Sequence, residues 1–245
     1  SLLLHAHDDD GKLSDEQLVG HTASLFGAAH LTTAHTLSWT LFLLAQHPSI
    51  MQELWAELNT EVAGSSPTLD EIPRLSVLER VIKESLRILP ASGYSQRMCA
   101  EDVQLGPFRL SRGTAIVFSQ FITHHIGELY PEPEAFRPDR WLTIQPSPYA
   151  YLPFGAGPRM CIGAMLAMMT LKTTLPTILK RFRVSVVADS QVNGGIISTM
   201  LCPTSPVMME IHEPDGQFES HPVTGNIHEL VTLREVPGQT TRKAA

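Results

Sequence analysis

Residues 151–167 read YLPFGAGPRMCIGAMLA and set one cysteine, Cys161, between a loop of glycine, proline and arginine and an apolar helical run. Gly155, Gly157 and Gly163 allow tight turns and the close approach of a flat ligand. Backbone N–H groups in such a turn can point at one sulfur, and a helix that starts just after Cys161 aims its positive end the same way. Both effects favour thiolate, the form that binds metals, over thiol. Arg159, two residues earlier, could pair with a carboxylate from outside the chain. Without these neighbours, a lone cysteine in an apolar context would read as a buried packing residue.

The pattern F-G-x-G-x-R-x-C-x-G fixes six positions in ten, and Phe154, Gly155, Gly157, Arg159, Cys161 and Gly163 fill all six. It resembles the heme-binding loop of the cytochrome P-450 family, the familiar case of heme held by a cysteine thiolate. The resemblance implies heme b (iron protoporphyrin IX) as cofactor, Cys161 as the iron ligand, Phe154 as a shield for the sulfur and Arg159 as a partner for a heme propionate. Arg97 and His124 stand where the family places basic propionate partners, and His125 stands where an arginine is more usual.

A second motif, KESLR, spaces Glu84 and Arg87 three apart on one helix face. Its flanks Val81, Ile82, Leu86 and Ile88 are apolar, so the pair is expected to be buried, and a buried pair needs further partners. The resemblance supplies one in Arg140 of FRPDRW, completing a structural trio that holds the cysteine loop. A third motif, AAHLTTA, matches the family's oxygen-side helix, with Thr32 on the key threonine and its hydroxyl able to bond back to the Ala28 carbonyl and open the helix locally. Here Leu31 takes the position of an acid that relays protons. Leucine carries no proton, so peroxide-driven or isomerising chemistry, or a non-catalytic remnant, stands as the alternative to a monooxygenase. Phe26, Leu31, Ala91, Tyr94 and Thr199 are expected to face a lipophilic substrate.

The elements that must position these groups follow from caps and periodicity. Ser14 opens a capping box for a helix running to about Gln46. Further boxes are read at Ser49 and Ser76, with a short helix over 68–75 cut by Pro73. Residues 102–125 alternate and read as short strands, and 126–153 as ordered loop. A helix from near Cys161 to about Phe182 contains Pro176, which should kink it, and two short strands follow. The fold class is mainly α with small β-sheets (α+β), and the resemblance makes it the C-terminal part of the P-450 fold. Residues 1–213 are expected to form a partial domain lacking the N-terminal half, and 214–245 a polar, loose extension.

The totals set outer limits. The chain has 245 residues, 43% hydrophobic and 18% charged, with a net charge of −7. That acidic balance gives no support to a nucleic-acid partner. Cys99, Cys161 and Cys202 form neither a CxxC zinc pattern nor an even disulfide set, which suits a reducing interior. The apolar run 37–45 is too short to span a bilayer, no signal peptide is read, and a cytoplasmic location is expected. HAHDDD at 5–10 reads as an acidic loop rather than a metal site. The resemblance implies dioxygen as a second substrate and a ferredoxin or flavoprotein reductase as electron donor. Lys172, Lys180, Arg181 and Arg183 are expected to offer that donor a basic docking face.

Overall fold

The computed structural model describes residues 3–5, 7–8 and 11–233. Two short strands, β1 (His7–Asp8) and β2 (Gly11–Lys12), pair antiparallel ahead of the first helix. Asp9 and Asp10 of the acidic loop lie outside the described residues. α1 runs Asp15–Gln46, and the expected capping box is formed: Gln17 N–H donates to the Ser14 hydroxyl while the Gln17 side chain accepts from Ser14 N–H. At 1.5 Å per residue it is about 48 Å long. Only its C-terminal part is buried, from Thr36 through Trp39 and Phe42 to Gln46.

α2 (Pro48–Glu61) starts one residue before the box expected at Ser49. Pro48 occupies the first helical position, where its fixed φ and missing N–H cost nothing. Pro73 likewise sits inside the short 3₁₀ turn Ile72–Arg74 instead of cutting a helix. α3 (Ser76–Ile88) makes no cap through Ser76. Its free amides are met from α2, where Glu57 accepts from Val77 N–H at 2.7 Å and Leu78 N–H at 3.0 Å.

β3 (Ser95–Met98), which the alternation did not suggest, pairs antiparallel with β6 (Ala115–Phe118), and the hairpin β4–β5 (Val103–Leu105, Phe108–Leu110) lies between them. The expected strands stop at Phe118. Ser119 accepts from Ile122 N–H and caps α4 (Gln120–His124). Residues 126–153 are loop with one 3₁₀ turn, Pro138–Leu142. α5 (Ala164–Leu179) begins three residues after Cys161 and includes Pro176. β7 (Arg183–Val186) pairs with β10 (Met209–His212), and β8 (Gly194–Ile197) forms a hairpin with β9 (Met200–Pro203). α6 (Ile227–Leu230) closes the described chain.

The result is mainly α with two-stranded sheets, as expected. One core joins α1, α2, α3 and α5 through Trp39, Phe42, Leu54, Leu78, Ile82, Leu171 and Leu175. The loose extension expected from residue 214 is corrected over its described part. Val223, Ile227 and Val231 are buried in that same core, because the polar composition of 214–233 conceals an apolar residue at each point of contact.

Candidate functional site

Glu84 lies at the centre of the site's support, fully buried on α3. Its Oε1 accepts from Arg87 Nη2 at 2.9 Å, Arg140 Nε at 2.9 Å and Arg137 N–H at 3.0 Å. Its Oε2 accepts from Arg87 Nε at 3.1 Å and Trp141 Nε1 at 3.0 Å. Arg87 also donates to the carbonyls of His124, Pro133 and Ala135, and Arg140 to those of Pro131, Glu132 and Ala135. Two guanidiniums thus hold the loop 131–135 by its backbone. Burial pushes the Arg140 pKa below its usual value even against the attraction of Glu84. Trp141 was not singled out from the sequence, although its place next to Arg140 was the available signal.

This support reaches the cysteine loop through His124. The ring is fully buried: Nδ1 lies 3.1 Å from the Arg87 carbonyl and Nε2 accepts from Leu152 N–H at 2.8 Å. Burial lowers its pKa to about 3, so it is a neutral imidazole. The propionate role expected for His124 is therefore corrected: both ring nitrogens are engaged and no surface of the ring is open. His124 instead ties the end of α3 to the start of the loop. Tyr151 stacks on it at 5.5 Å and donates to the Lys83 carbonyl at 3.0 Å, and burial raises the Tyr151 pKa well above its usual value.

The loop itself turns at Gly155 and Gly157, both at φ +71°, a region other residues avoid. Cys161 N–H donates to the Phe154 carbonyl at 2.8 Å, which closes the turn and leaves the cysteine exposed. No hydrogen bond reaches its Sγ among the described residues, and the N–H groups of Gly155, Met160 and Cys161 donate to carbonyls of the loop itself. Phe154 packs on the core from beneath. Arg159 is exposed on the 3₁₀ turn Gly157–Arg159, and a Cβ at Gly163 would come within 3.8 Å of Cys161 Sγ. Ile162, Met165 and Leu166 continue the exposed surface onto α5 at 91%, 87% and 65% exposure.

On α1, Thr32 Oγ1 donates to the Ala28 carbonyl at 2.9 Å, as the motif suggested. Thr36 and Ser38 make the same bond to their own i−4 carbonyls, and the helix stays α-helical throughout, so the expected local opening at Thr32 is not observed. Leu31 and Phe26 are exposed on this helix, Ala91 is buried, and Tyr94 donates to the Ser198 carbonyl at 2.9 Å. Thr199 accepts from Gly93 N–H through its carbonyl. A cavity of about 420 Å³ does exist, lined by His35, Ser38, Leu41, Pro203 and Met209 among others, but none of the five expected substrate residues lines it. Arg97 is exposed on β3, and its guanidinium donates to the neighbouring Gln96 carbonyl at 2.8 Å.

The basic docking face is corrected as well. Lys172 pairs with Glu79 at 3.2 Å, Lys180 donates to the Leu58 and Val62 carbonyls at the end of α2, Arg181 reaches the Ser65 hydroxyl, and Arg183 pairs with Asp215 through two bonds of 2.8 and 3.1 Å. Cations that look like a patch in sequence are spent on carboxylates, carbonyls and a hydroxyl of this chain. No helix among the described residues is long and apolar enough to cross a membrane.

Residues 1–211 match the cytochrome P450 family. Cytochrome P450 4c21 of Blattella germanica is 36% identical over 217 residues, covering 85% of this chain and 43% of that protein. Pentalenene oxygenase of Streptomyces avermitilis is 36% identical over 207 residues, covering 83% and 46%. Cytochrome P450 3A28 of Bos taurus is 33% identical over 209 residues, covering 83% and 41%. The chain spans less than half the length of these relatives.

Proposed function

The chain belongs to the cytochrome P450 family, and from that premise we propose that it is the cysteine-bearing part of a heme-thiolate monooxygenase acting on a lipophilic organic substrate. The observation that carries the reading is Cys161 itself. It is exposed behind two positive-φ glycines, on a loop closed by its own N–H bond to Phe154 and tied through His124 to the buried Glu84–Arg87–Arg140 trio.

These residues fit heme. Gly157 has nothing within 4 Å of where a Cβ would stand, and Gly155 only the Arg159 carbonyl at 4.0 Å, so a flat ring can lie close to the backbone. Arg159 and Arg97 are exposed and have no ion-pair partner among the described residues, which leaves them for the two propionates. Ile162, Met165 and Leu166 give an apolar rim. Bound there, heme supplies the reductive activation of dioxygen and the transfer of one oxygen atom to carbon, with electrons from a ferredoxin or flavoprotein.

The protein's own part is to hold and orient. Cys161 presents the sulfur, and Phe154 anchors the loop by packing on the core and by accepting from Cys161 N–H. Thr32 has its hydroxyl hydrogen directed at the Ala28 carbonyl, so its oxygen lone pairs are free to accept from a water on the distal side. Leu31 has no proton to pass on. This observation favours a second reading, in which the same site runs on peroxide and needs no proton relay from the acid position.

The test is to load the chain with hemin, reduce it and add carbon monoxide. We expect a Soret band at the red-shifted thiolate position, lost in Cys161→Ala. An unchanged spectrum in that variant would sink the assignment. Substrate turnover with peroxide but none with an electron donor would select the second reading.

A further inference from the structure

Residues 212–233 lie past the end of the family match at 211, yet they are woven into the fold. Their backbone pairs with the approach to β8. Asp189 N–H donates to the Pro222 carbonyl at 2.8 Å, Thr224 N–H to Ser190 at 3.0 Å, and Val192 N–H to Thr224 at 2.8 Å. Asn226 then closes on β8 itself. Its Oδ1 accepts from Gly194 N–H at 2.8 Å and its Nδ2 donates to the Gly194 carbonyl at 2.9 Å, so one side-chain amide stands in for a strand partner. Leu230 and Trp39 press on Gly194, where a Cβ would come within 2.5 and 3.5 Å of them.

The same segment grips the support of the cysteine loop. Thr232 N–H donates to the Glu134 carbonyl at 2.8 Å and pairs in parallel with Ala135. Ala135 and Pro133, on either side of Glu134, are carbonyl partners of the buried arginines. At the far end of β8 the hairpin turn meets the stretch expected to face substrate. The Ser198 carbonyl accepts from Tyr94 Oη, the Thr199 carbonyl from Gly93 N–H at 2.9 Å, and Ile196 Cδ1 stands 2.5 Å from where a Cβ of Gly93 would be.

We propose that residues 222–232 form a strap in which Asn226 is a positioning residue, fixing the tip of the β8–β9 hairpin against Gly93 and Tyr94 while Thr232 anchors the same strap to the loop held by Arg87 and Arg140. The strap thereby sets the substrate side of the site relative to the cysteine side. Its meaning for binding rests on the heme reading above; its mechanics do not.

The experiment uses the whole 245-residue chain and the variants Asn226→Ala and Asn226→Asp. Aspartate keeps the acceptor for Gly194 N–H but sets a carboxylate oxygen against the Gly194 carbonyl in place of the donor, so it breaks the same contact without leaving a cavity and serves if the alanine variant does not fold. Amide hydrogen exchange on the hemin-free chain should show residues 192–204 and Gly93 exchanging at least ten-fold faster in Asn226→Ala. The aspartate variant should also exchange faster than the unsubstituted chain over these residues, and α2 and α3 should be unchanged in both. Faster exchange confined to 222–233, or spread evenly over the whole chain, overturns the strap. On the hemin-loaded chain, the dissociation constant of 4-phenylimidazole, read from its spectral shift, should rise about ten-fold in Asn226→Ala, with the carbon monoxide band unmoved. An unchanged affinity beside locally faster exchange overturns the positioning role. If the unsubstituted chain takes up no hemin, the heme reading falls and the exchange arm still decides the strap.

Discussion

Glu84 is one carboxylate that meets five donors in a space closed to water. A buried ion pair often does little for net stability, but removing one partner leaves charge stranded. Glu84→Gln should therefore cost about 3–5 kcal/mol in urea unfolding, far more than substitution of an exposed pair such as Arg137–Glu132. His124 sets a pH dependence. Its pKa is about 3 in the folded chain against 6.5 ordinarily, so below pH 6.5 the unfolded chain takes up a proton that the folded chain refuses. Stability should fall as pH drops from 6.5 toward 3, by about 1.4 kcal/mol per pH unit from this group. His125, also lowered by burial, adds in the same sense. Urea titrations at pH 7 and pH 5 should show a flatter dependence in His124→Gln, and an equal slope would refute the buried neutral imidazole. The Glu84–Arg87 pair is legible in the sequence because spacing and apolar flanks agree, and Arg140 joins it through the family resemblance alone. His124 is not legible, because a buried histidine between two backbone groups and an exposed one waiting for an anion are written with the same letter.

Among the elements, the starts of α1 and α3 fall where the sequence puts them and α2 starts at Pro48, but of the three expected capping boxes only the one at Ser14 forms. The Ser14–Gln17 box is made of residues three apart, whereas α3 is capped by Glu57 from twenty residues away. Glu57→Ala should cost about 1–2 kcal/mol, the usual worth of a cap. Ser76→Ala should be nearly neutral, since the Ser76 hydroxyl only donates to that same carboxylate at 3.2 Å. Comparing the two unfolding curves checks which residue is the cap. β3 escaped notice because Ser95–Met98 carries no alternation; tertiary pairing with β6 makes it a strand. α4 was read as strand because its five residues are too few to show a helical period. The segment 214–233 packs although its sequence reads as loose: Val223, Ile227 and Val231 are buried four residues apart, but they stand among His, Pro, Gly, Asn and Glu and only one short helix, α6, forms there.

The molecule as a whole exposes large apolar side chains on α1 and beside the cysteine loop. Phe26 is 78% exposed on the open half of α1, and Ile162 and Met165 are 91% and 87% exposed beside Cys161. Exposed patches of this kind associate. Sedimentation velocity on the isolated chain should show concentration-dependent self-association that weakens when hemin is bound; a monomer at every concentration would contradict it. The core is also closed by partners far apart in sequence. The Trp39 indole, completely buried, donates to the Leu201 carbonyl at 3.1 Å across 162 residues. A ribosome adds about 5–20 residues per second, so roughly 8–30 s pass between the making of this tryptophan and of its acceptor. Through that interval the largest apolar side chain of the core has only part of its native site, Phe42 among it, and lacks the carbonyl its indole N–H needs. The core therefore stays open to chaperones and to aggregation at least until the β8–β9 hairpin has been synthesised, and it closes only when Val223, Ile227 and Val231 have followed.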